Sequence, residues 1–501
     1  MKMKEINNNT KYLLLTGTVI LLALLISCTQ SEKSGSTRDN SSEGLPNIIL
    51  VMADDLGYGD VAYNDNPIVK TPNLDAMAAE AIRFDRFYSG APVCSPTRGS
   101  CLTGRHPYRY DIPWAGRHPL PASEITIAEA LKTKGYSTGH FGKWHLGGLS
   151  KTINQQEFPN GPSPYSPPWE NGFDEAFSTE GMVPTYNPYY HVGSAYGSED
   201  FRYVQTEPVD KGQRTKGNVW RERYWTGPGQ VADEWFEGDD SKIIMDRSLD
   251  YIERMKEKES PFLAVIWFHA VHSPVVAGNE HRSMYSELSM EKQHWFGCIT
   301  AMDDQVGRLR SYLRESGLAE NTILWFCSDN GPSYIHNHNS AGPLRGKKAE
   351  LYEGGVRVPA ILEWPAKYPE AKVIKTPVST SDFYPTLLAI ADIEMDQQPE
   401  LDGENVIPVL EGNAGRKGPI GFVYPLPARL KKHETVEEEQ FALIGKQYKI
   451  ISIDDGKSFQ LYDLVSDVGE TTDLASTHPE IFAEMQNQLL TWVKSCKGEN
   501  K

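Results

Sequence analysis

Four short apolar runs in this chain each hand over to residues capable of chemistry. The run 47–52 (NIILVM) leads into Asp54 and Asp55, and 322–327 (TILWFC) leads into Asp329 and Asn330. Crowded carboxylates repel one another unless a cation lies between them. Oxygen donors without His or Cys suit Ca2+ or Mg2+ better than Zn2+. Each acidic pair alone also reads as a turn after a strand; the two together, in an α/β frame, point to a metal. The run 262–268 (FLAVIWF) is followed by His269 and His272, and 136–141 by Lys143 and His145. Arg98 and the Lys347–Lys348 pair of LRGKKAELYEGG add cations. A lone histidine at a strand end is commonly structural, and a lysine pair commonly solvated. Gathered in one place with a metal, these groups would neutralise a multiply charged oxyanion and stabilise the charge that develops during its transfer.

The stretch 91–105 (APVCSPTRGSCLTGR) places Cys94 two residues before Pro96 and four before Arg98. A disulfide is the plain reading. The six cysteines, at 28, 94, 101, 298, 327 and 496, are nevertheless sparse. They lack the close spacing that staples small secreted domains.

The elements that must position these residues are legible as alternation. The four runs are β-branched or aromatic and scarcely alternate with polar residues, as suits strands buried on both faces of a mostly parallel sheet. Helical patterns at 73–81, 125–134, 242–258 and 294–316 lie among them, so the expected fold is a doubly wound α/β domain. Ligands bind such sheets outside the carboxyl ends of the strands, which is where these polar residues fall. The segment 150–240 is rich in Pro, Gly, Tyr and Trp with little periodicity, and so long an irregular insertion is commonly functional or mobile. Beyond about 415, short strands at 441–444, 448–453 and 460–464 and a helix at 479–494 predict a small antiparallel sheet with one helix.

A length of 501 residues accommodates a large α/β domain and a smaller companion. The first residues differ from the rest: Lys2, Lys4 and Lys11 precede the apolar run 13–26, which is short for a membrane span. The run closes in Leu25-Ile26-Ser27-Cys28, which resembles a bacterial lipobox and implies cleavage before Cys28 and lipidation of its thiol; a simple signal anchor is the other reading. The expected division is a lipoprotein signal at 1–27, a Ser-rich tether at 28–45, the α/β domain at 46–414 and the α+β part at 415–501. Loss of 1–27 removes three Lys and one Glu and moves the formal charge from −17 to −19. So acidic a protein is a poor candidate for general nucleic-acid binding, which needs a basic face, yet it can bind an anion where cations are concentrated in one cleft.

The motifs now fall into a pattern. CSPTRGSCLTGR resembles the signature of the type I sulfatases, C-x-P-[ST]-R followed by T-G-R. NIILVMADDLGYGD, GKWHLG, HAVHSP, SDNG and GKKAELYEGGVRVP resemble that family's other blocks in order, and LYDLVSDVGETTDLA its C-terminal segment. The resemblance implies an alkaline-phosphatase-like α/β fold in which Cys94 is oxidised by a maturing enzyme to Cα-formylglycine (3-oxoalanine), whose aldehyde hydrates to a gem-diol. It implies a metal site of Asp54, Asp55, Asp329, Asn330 and the modified Cys94, with calcium rather than magnesium the usual ion. One diol hydroxyl would attack sulfur, forming a covalent sulfate ester. His272 and Lys348 would hold the sulfate, with His272 as acid to the leaving alcohol, and His145 would accept the proton as the ester collapses. Arg98 and Lys143 would orient the diol. Thr97 stands where serine is commoner, and Lys347 where glycine is common, so Lys347 competes with Lys348 for the assignment.

The resemblance further implies a sulfated polysaccharide or its oligosaccharides as substrate: ulvan, carrageenan, fucoidan or a glycosaminoglycan. The lipid would hold the protein at a bacterial membrane or cell surface. Tyr186, Tyr189, Tyr190, His191, Trp220, Arg221, Trp225, His336 and His338 are the residue types that stack on sugars and hold anions, or else pack their own loops. Two rivals are a phosphonate or phosphodiester hydrolase of the same superfamily and a non-catalytic glycan-binding lipoprotein.

Overall fold

The computed structural model describes residues 44–116, 118–153, 163–192, 205–208, 222–234, 236–333, 338–425 and 439–498, with backbone only at 190–192 and 205–208. The signal, most of the tether and Cys28 lie outside the described residues, as do Trp220, Arg221 and His336. Among the described residues no helix is long and apolar enough to cross a membrane.

The first half of the chain supplies strands β1 (Asn47–Ala53), β2 (Ile82–Phe84), β3 (Phe87–Tyr88), β4 (Ser137–Lys143), β5 (Glu175–Thr179), β6 (Tyr190–Val192), β7 (Gln205–Pro208), β8 (Trp225–Gly227) and β9 (Gln230–Val231). The second half supplies β10 (Phe262–Trp267), β11 (Thr322–Ser328), β12 (Ala360–Glu363), β13 (Lys372–Ile374), β14 (Val378–Ser379), β15 (Ile420–Tyr424), β16 (Gln440–Ile444), β17 (Tyr448–Ser452) and β18 (Gln460–Asp463). Ten of them form one sheet in the order β13-β2-β12-β11-β1-β10-β4-β5-β8-β9. Its middle, β11-β1-β10-β4-β5, is parallel throughout.

Every residue of β1, β10 and β11 is buried, which explains their unbroken apolar runs. The period of two still sorts them by face. Ile49, Val51, Ala264, Ile266, Leu324 and Phe326 join one core with Ile244, Ile252, Trp295, Ile299 and Leu309. Those partners come from the helices Asp240–Glu257 and Met290–Glu315. Residues of the other parity face the second layer: Trp325 packs on Phe383 at 4.3 Å between ring centroids, and the Arg98 guanidinium lies 5.1 Å from the Trp267 ring. The helices of that layer are Cys94–Thr103, Ile127–Lys132 and Phe383–Ile390.

The C-terminal sheet β15-β16-β17-β18 is antiparallel. One face packs on the helix Pro479–Lys497 through Phe441, Leu443, Ile450, Leu489 and Val493. The other face, with Phe422, Ala442 and Ile451, packs on Ala349, Leu351, Tyr352 and Val356. That second contact sets the C-terminal sheet directly behind the segment carrying Lys348.

One expectation needs correction. The segment 150–240 is not simply an irregular insertion: β5 extends the parallel sheet and β8 and β9 add its edge. The sheet is mostly parallel, as expected: β12 alone runs antiparallel to both of its neighbours, β11 and β2, on this side, and β13 pairs parallel with β2 at the edge. β15 of the C-terminal sheet was not anticipated, although it is as long as β16 and β17.

Candidate active site

The parallel register brings the strand ends level. Ala53 pairs with Ser328, Met52 with Trp267, and Trp267 with Gly142. Asp54, Asp55, Asp329 and Asn330 therefore leave adjacent strands at one edge, with Lys143 at the end of the next strand but one. Gly142 has φ +102°, and a Cβ there would lie 1.9 Å from the Trp267 carbonyl oxygen. Only glycine lets β4 approach β10 closely enough at this point.

Cys94 opens the helix Cys94–Thr103, all ten residues of which are buried. The Thr97 hydroxyl donates to the carbonyls of Ala91 (2.9 Å) or Val93 (3.1 Å) and accepts from the Ala91 amide (3.2 Å). It thereby ties down the approach to Cys94 and explains why threonine serves in the signature. Arg98, one turn on, is fully buried and donates to Asp329 Oδ2 at 2.7 Å and to the Lys143 carbonyl at 2.9 Å, with Asp54 Oδ2 at 3.4 Å. Lys143 Nζ bonds Asp54 Oδ2.

Lys348 Nζ lies 2.5 Å from Asp55 Oδ1, which also accepts from Asn330 Nδ2 at 2.7 Å. Lys348 is buried whereas Lys347 is half-buried, so Lys348 is the lysine turned into the site. The His272 Nδ1–H donates to the Ser273 carbonyl at 2.7 Å, leaving Nε2 toward Asp55 Oδ2 at 3.8 Å. His145 is buried with φ 55°, and its Nδ1 has no hydrogen-bond partner among the described residues.

Electrostatics follow from burying so many charges together. Burial raises the Asp54 carboxyl, but Lys143, His272, Arg98 and Lys348 more than offset it and hold the group well below the usual range. Asp329 is pushed up to about 7 by burial and by the neighbouring Asp54 charge. Burial lowers His272 to about 4, and burial with Lys143 and Arg98 holds His145 well below the usual imidazole value. The Cys94 thiol is raised, first by burial, so an unmodified Cys94 is a poor thiolate nucleophile.

The donor set fits a hard cation. Asp54 Oδ1 and Asn330 Oδ1 are buried without hydrogen-bond partners among the described residues. Donor atoms of Asp54, Cys94 and Asp329 lie within 4.8 Å of one another. Buried oxygens left unpaired are costly, and a bound cation would relieve that cost.

Sequence reasoning missed a support beneath this edge. His269 Nδ1 bonds Asp240 Oδ2, and His269 Nε2 bonds the Thr179 hydroxyl, both at 2.7 Å, while the Tyr224 hydroxyl closes on Asp240. These residues tie β5, the start of the helix Asp240–Glu257 and the loop after β10 together. The pairs are non-local, and only the HAVHSP block hinted at one member.

The sugar-facing candidates divide. Tyr189 and Trp225 are core residues: Tyr189 packs on Phe236, with its hydroxyl accepting from the Tyr224 amide, and Trp225 lies buried in β8. His338 is committed to Glu291 at 3.3 Å and to the Trp295 ring. Tyr186 lines a polar surface groove with Asp239, Lys242 and His281, away from the acidic cluster. The side chains of Tyr190 and His191 lie outside the described residues.

The sulfatase family profile matches residues 46–393, and that of the N-sulphoglucosamine sulphohydrolase C-terminal region matches 347–495. The N-acetylgalactosamine-6-sulfatase of Canis lupus familiaris is 31% identical over 403 residues, covering 75% of this chain and 68% of that protein. The chain thus spans about two thirds of the length of such curated relatives. Among solved structures, Ps i-CgsB in complex with k-i-k-neocarrahexaose aligns with a TM-score of 0.72 at 25% identity, covering 90% of this chain and 93% of that one. The phosphonate monoester hydrolase of Agrobacterium radiobacter aligns with a TM-score of 0.61 at 19% identity, covering 90% and 96%, a likeness of fold alone. On the extent of the profile match and of this identity, the chain belongs to the sulfatase family.

Proposed function

We propose that this protein hydrolyses sulfate esters on a sulfated polysaccharide or its oligosaccharides. The observation that carries the reading is the setting of Cys94: it begins a buried helix beside Asp54 and Asp329, amid Arg98, Lys143, His272 and Lys348. Calcium and a Cys94 converted to formylglycine would together supply an oxygen nucleophile and offset the charge on the sulfate group. Asp54, Asp55, Asp329 and Asn330 hold the cation. Arg98 and Lys143 are fixed by carboxylates on either side and orient the first atoms of the helix. Lys348 and His272 face the same edge and bind the anionic oxygens. A bound sulfate ester favours the charged imidazole, so that Nε2 of His272 can pass its proton to the departing alcohol. Buried His145, with Nδ1 unpaired, takes a proton from the nucleophile's side.

The relatives support a sugar substrate: one is named for N-acetylgalactosamine 6-sulfate chemistry, and one was solved with a carrageenan-type oligosaccharide. We further propose an exported lipoprotein held by lipid on Cys28, which a labelled fatty acid incorporated by wild type and refused by Cys28→Ala would support. The deciding experiment measures free sulfate from shortened ulvan, carrageenan, fucoidan and glycosaminoglycan chains, with mass spectrometry of Cys94 as control. Release that vanishes in Cys94→Ala is the expected result. Silence across the panel from fully converted protein, with turnover of phosphonate esters or phosphodiesters, would instead favour the rival reading that the shared fold of the phosphonate hydrolase allows.

A further inference from the structure

The segment that carries Lys348 is held from behind by one side chain of the C-terminal sheet. Gln440, at the start of β16, is fully buried. Its Nε2 donates to the Ala349 carbonyl at 2.8 Å and its Oε1 accepts from the Leu351 amide at 2.9 Å. Only one orientation of the amide satisfies both bonds, so the side chain clamps the backbone on either side of Glu350. Between the clamp and Lys348 sits Ala349 at φ 72°, a left-handed conformation that a residue with a Cβ rarely adopts.

Two more contacts fix the same turn. The Lys348 amide donates to the Pro332 carbonyl at 3.0 Å and the Ala349 amide to the Pro92 carbonyl at 2.9 Å. The first partner follows Asp329 and Asn330; the second precedes Cys94. Gly355 closes the underside, since a Cβ there would lie 1.9 Å from the Glu350 carbonyl oxygen. With its backbone so constrained, the Lys348 side chain is directed to Asp55.

We infer that Gln440 is a positioning residue for Lys348: its two backbone hydrogen bonds hold the left-handed turn at Ala349 that turns the lysine into the site. Lys348 as a binder of the sulfate group is the proposed reading of the reaction on which this rests. The C-terminal sheet is on this account a part of the active site, although none of its residues touches the reacting group.

The test compares the full-length wild type with Gln440→Met, a near-isostere that can make neither bond. Gln440→Glu keeps the acceptor for Leu351 and carries the test if the methionine variant does not fold. Against a sulfate ester that the wild type hydrolyses, kcat/KM should fall about tenfold or more, chiefly through KM, with Cys94 conversion unchanged. Hydrogen exchange should quicken at 347–352 and not along β16 and β17. Adding Ala349→Gly, which adopts positive φ freely, should recover at least about threefold of the loss.

A merely structural role would quicken exchange across the whole C-terminal sheet and gain nothing from the glycine; that result overturns the inference. So does unchanged kcat/KM with unchanged exchange at 347–352. The two readings fail separately. A wild type inactive on every sulfate ester, with 347–352 still loosened locally in the variants, upholds the clamp and overturns the reading of the reaction.

Discussion

Two clusters of charge are buried in this protein, and they are finished differently. Behind the C-terminal sheet, Lys449 pairs with Glu353 Oε1 at 3.1 Å and with Glu470 Oε1 at 2.9 Å. Glu353 Oε2 accepts from the Tyr88 hydroxyl at 3.0 Å, and Glu470 Oε2 from the Glu353 amide at 2.6 Å. Each of the four carboxylate oxygens faces a donor or the lysine ammonium, although Glu470 Oε1 meets Lys449 as an ion pair outside hydrogen-bond geometry. At the carboxyl edge of the large sheet the acids and cations are as deeply buried, yet Asp54 Oδ1 and Asn330 Oδ1 are left without partners among the described residues. Evolution tolerates such orphaned acceptors where another species is to fill them. The first cluster is a joint, and the second is a receptacle.

The sharpest break between the two lies in activity. Cys94→Ala should lose at least about 10^3-fold in sulfate release while retaining its melting temperature within a few degrees, since residue 94 takes part in none of the ion pairs of either cluster. Lys449→Met should do the reverse. Removing one partner from a buried pair costs roughly 3–5 kcal/mol, so urea unfolding should register a large loss of stability. Calcium then sharpens the contrast. At 100 times its dissociation constant the ion should stabilise metal-free protein by about 2.7 kcal/mol, in wild type and Lys449→Met alike but not in Asp329→Asn. A calcium shift that survives Asp329→Asn would place the ion elsewhere.

His272 offers a smaller, more selective probe. If its Nε2 protonates the leaving alcohol, His272→Ala should lose about 10^2-fold on an alkyl sulfate and far less on an activated aryl sulfate, whose leaving group needs no proton. Equal losses on the two esters would remove that role.

How much of this could be read beforehand follows from where the information sits. Asp54, Asp55, Asp329 and Asn330 were legible because each lies one or two residues beyond a buried strand, and strand order in a parallel sheet brings such ends together. Cys94, Arg98, Lys143, His272 and Lys348 were legible through local blocks of sequence. Tyr189 and Trp225 stayed open between stacking on sugars and packing their own loop because composition says nothing about which side of a loop is buried; both pack into the core. Gln440 carried no signal at all. Its two partners stand 91 and 89 residues away, and a glutamine in a strand looks like any other polar residue until the fold places a backbone turn against it.

The last prediction concerns pH and separates the joint from the receptacle once more. Burial and the Glu353 charge push the Glu470 carboxyl up to about 7 against the pull of Lys449. In the unfolded chain the same group titrates near 4.5, so between those values the folded state holds a proton that the unfolded state has released. Stability from this source is therefore complete below about pH 4.5, falls as pH rises to about 7, and is level above it. Glu353 is shifted the opposite way, and its effect lies below that window. Denaturant unfolding of metal-free protein should show wild type losing on the order of 1–3 kcal/mol between pH 4.5 and 7.5 relative to Glu470→Gln. Parallel curves for the two proteins would mean that Lys449 keeps Glu470 ionised throughout, and the joint would then be held by two charged carboxylates on one ammonium.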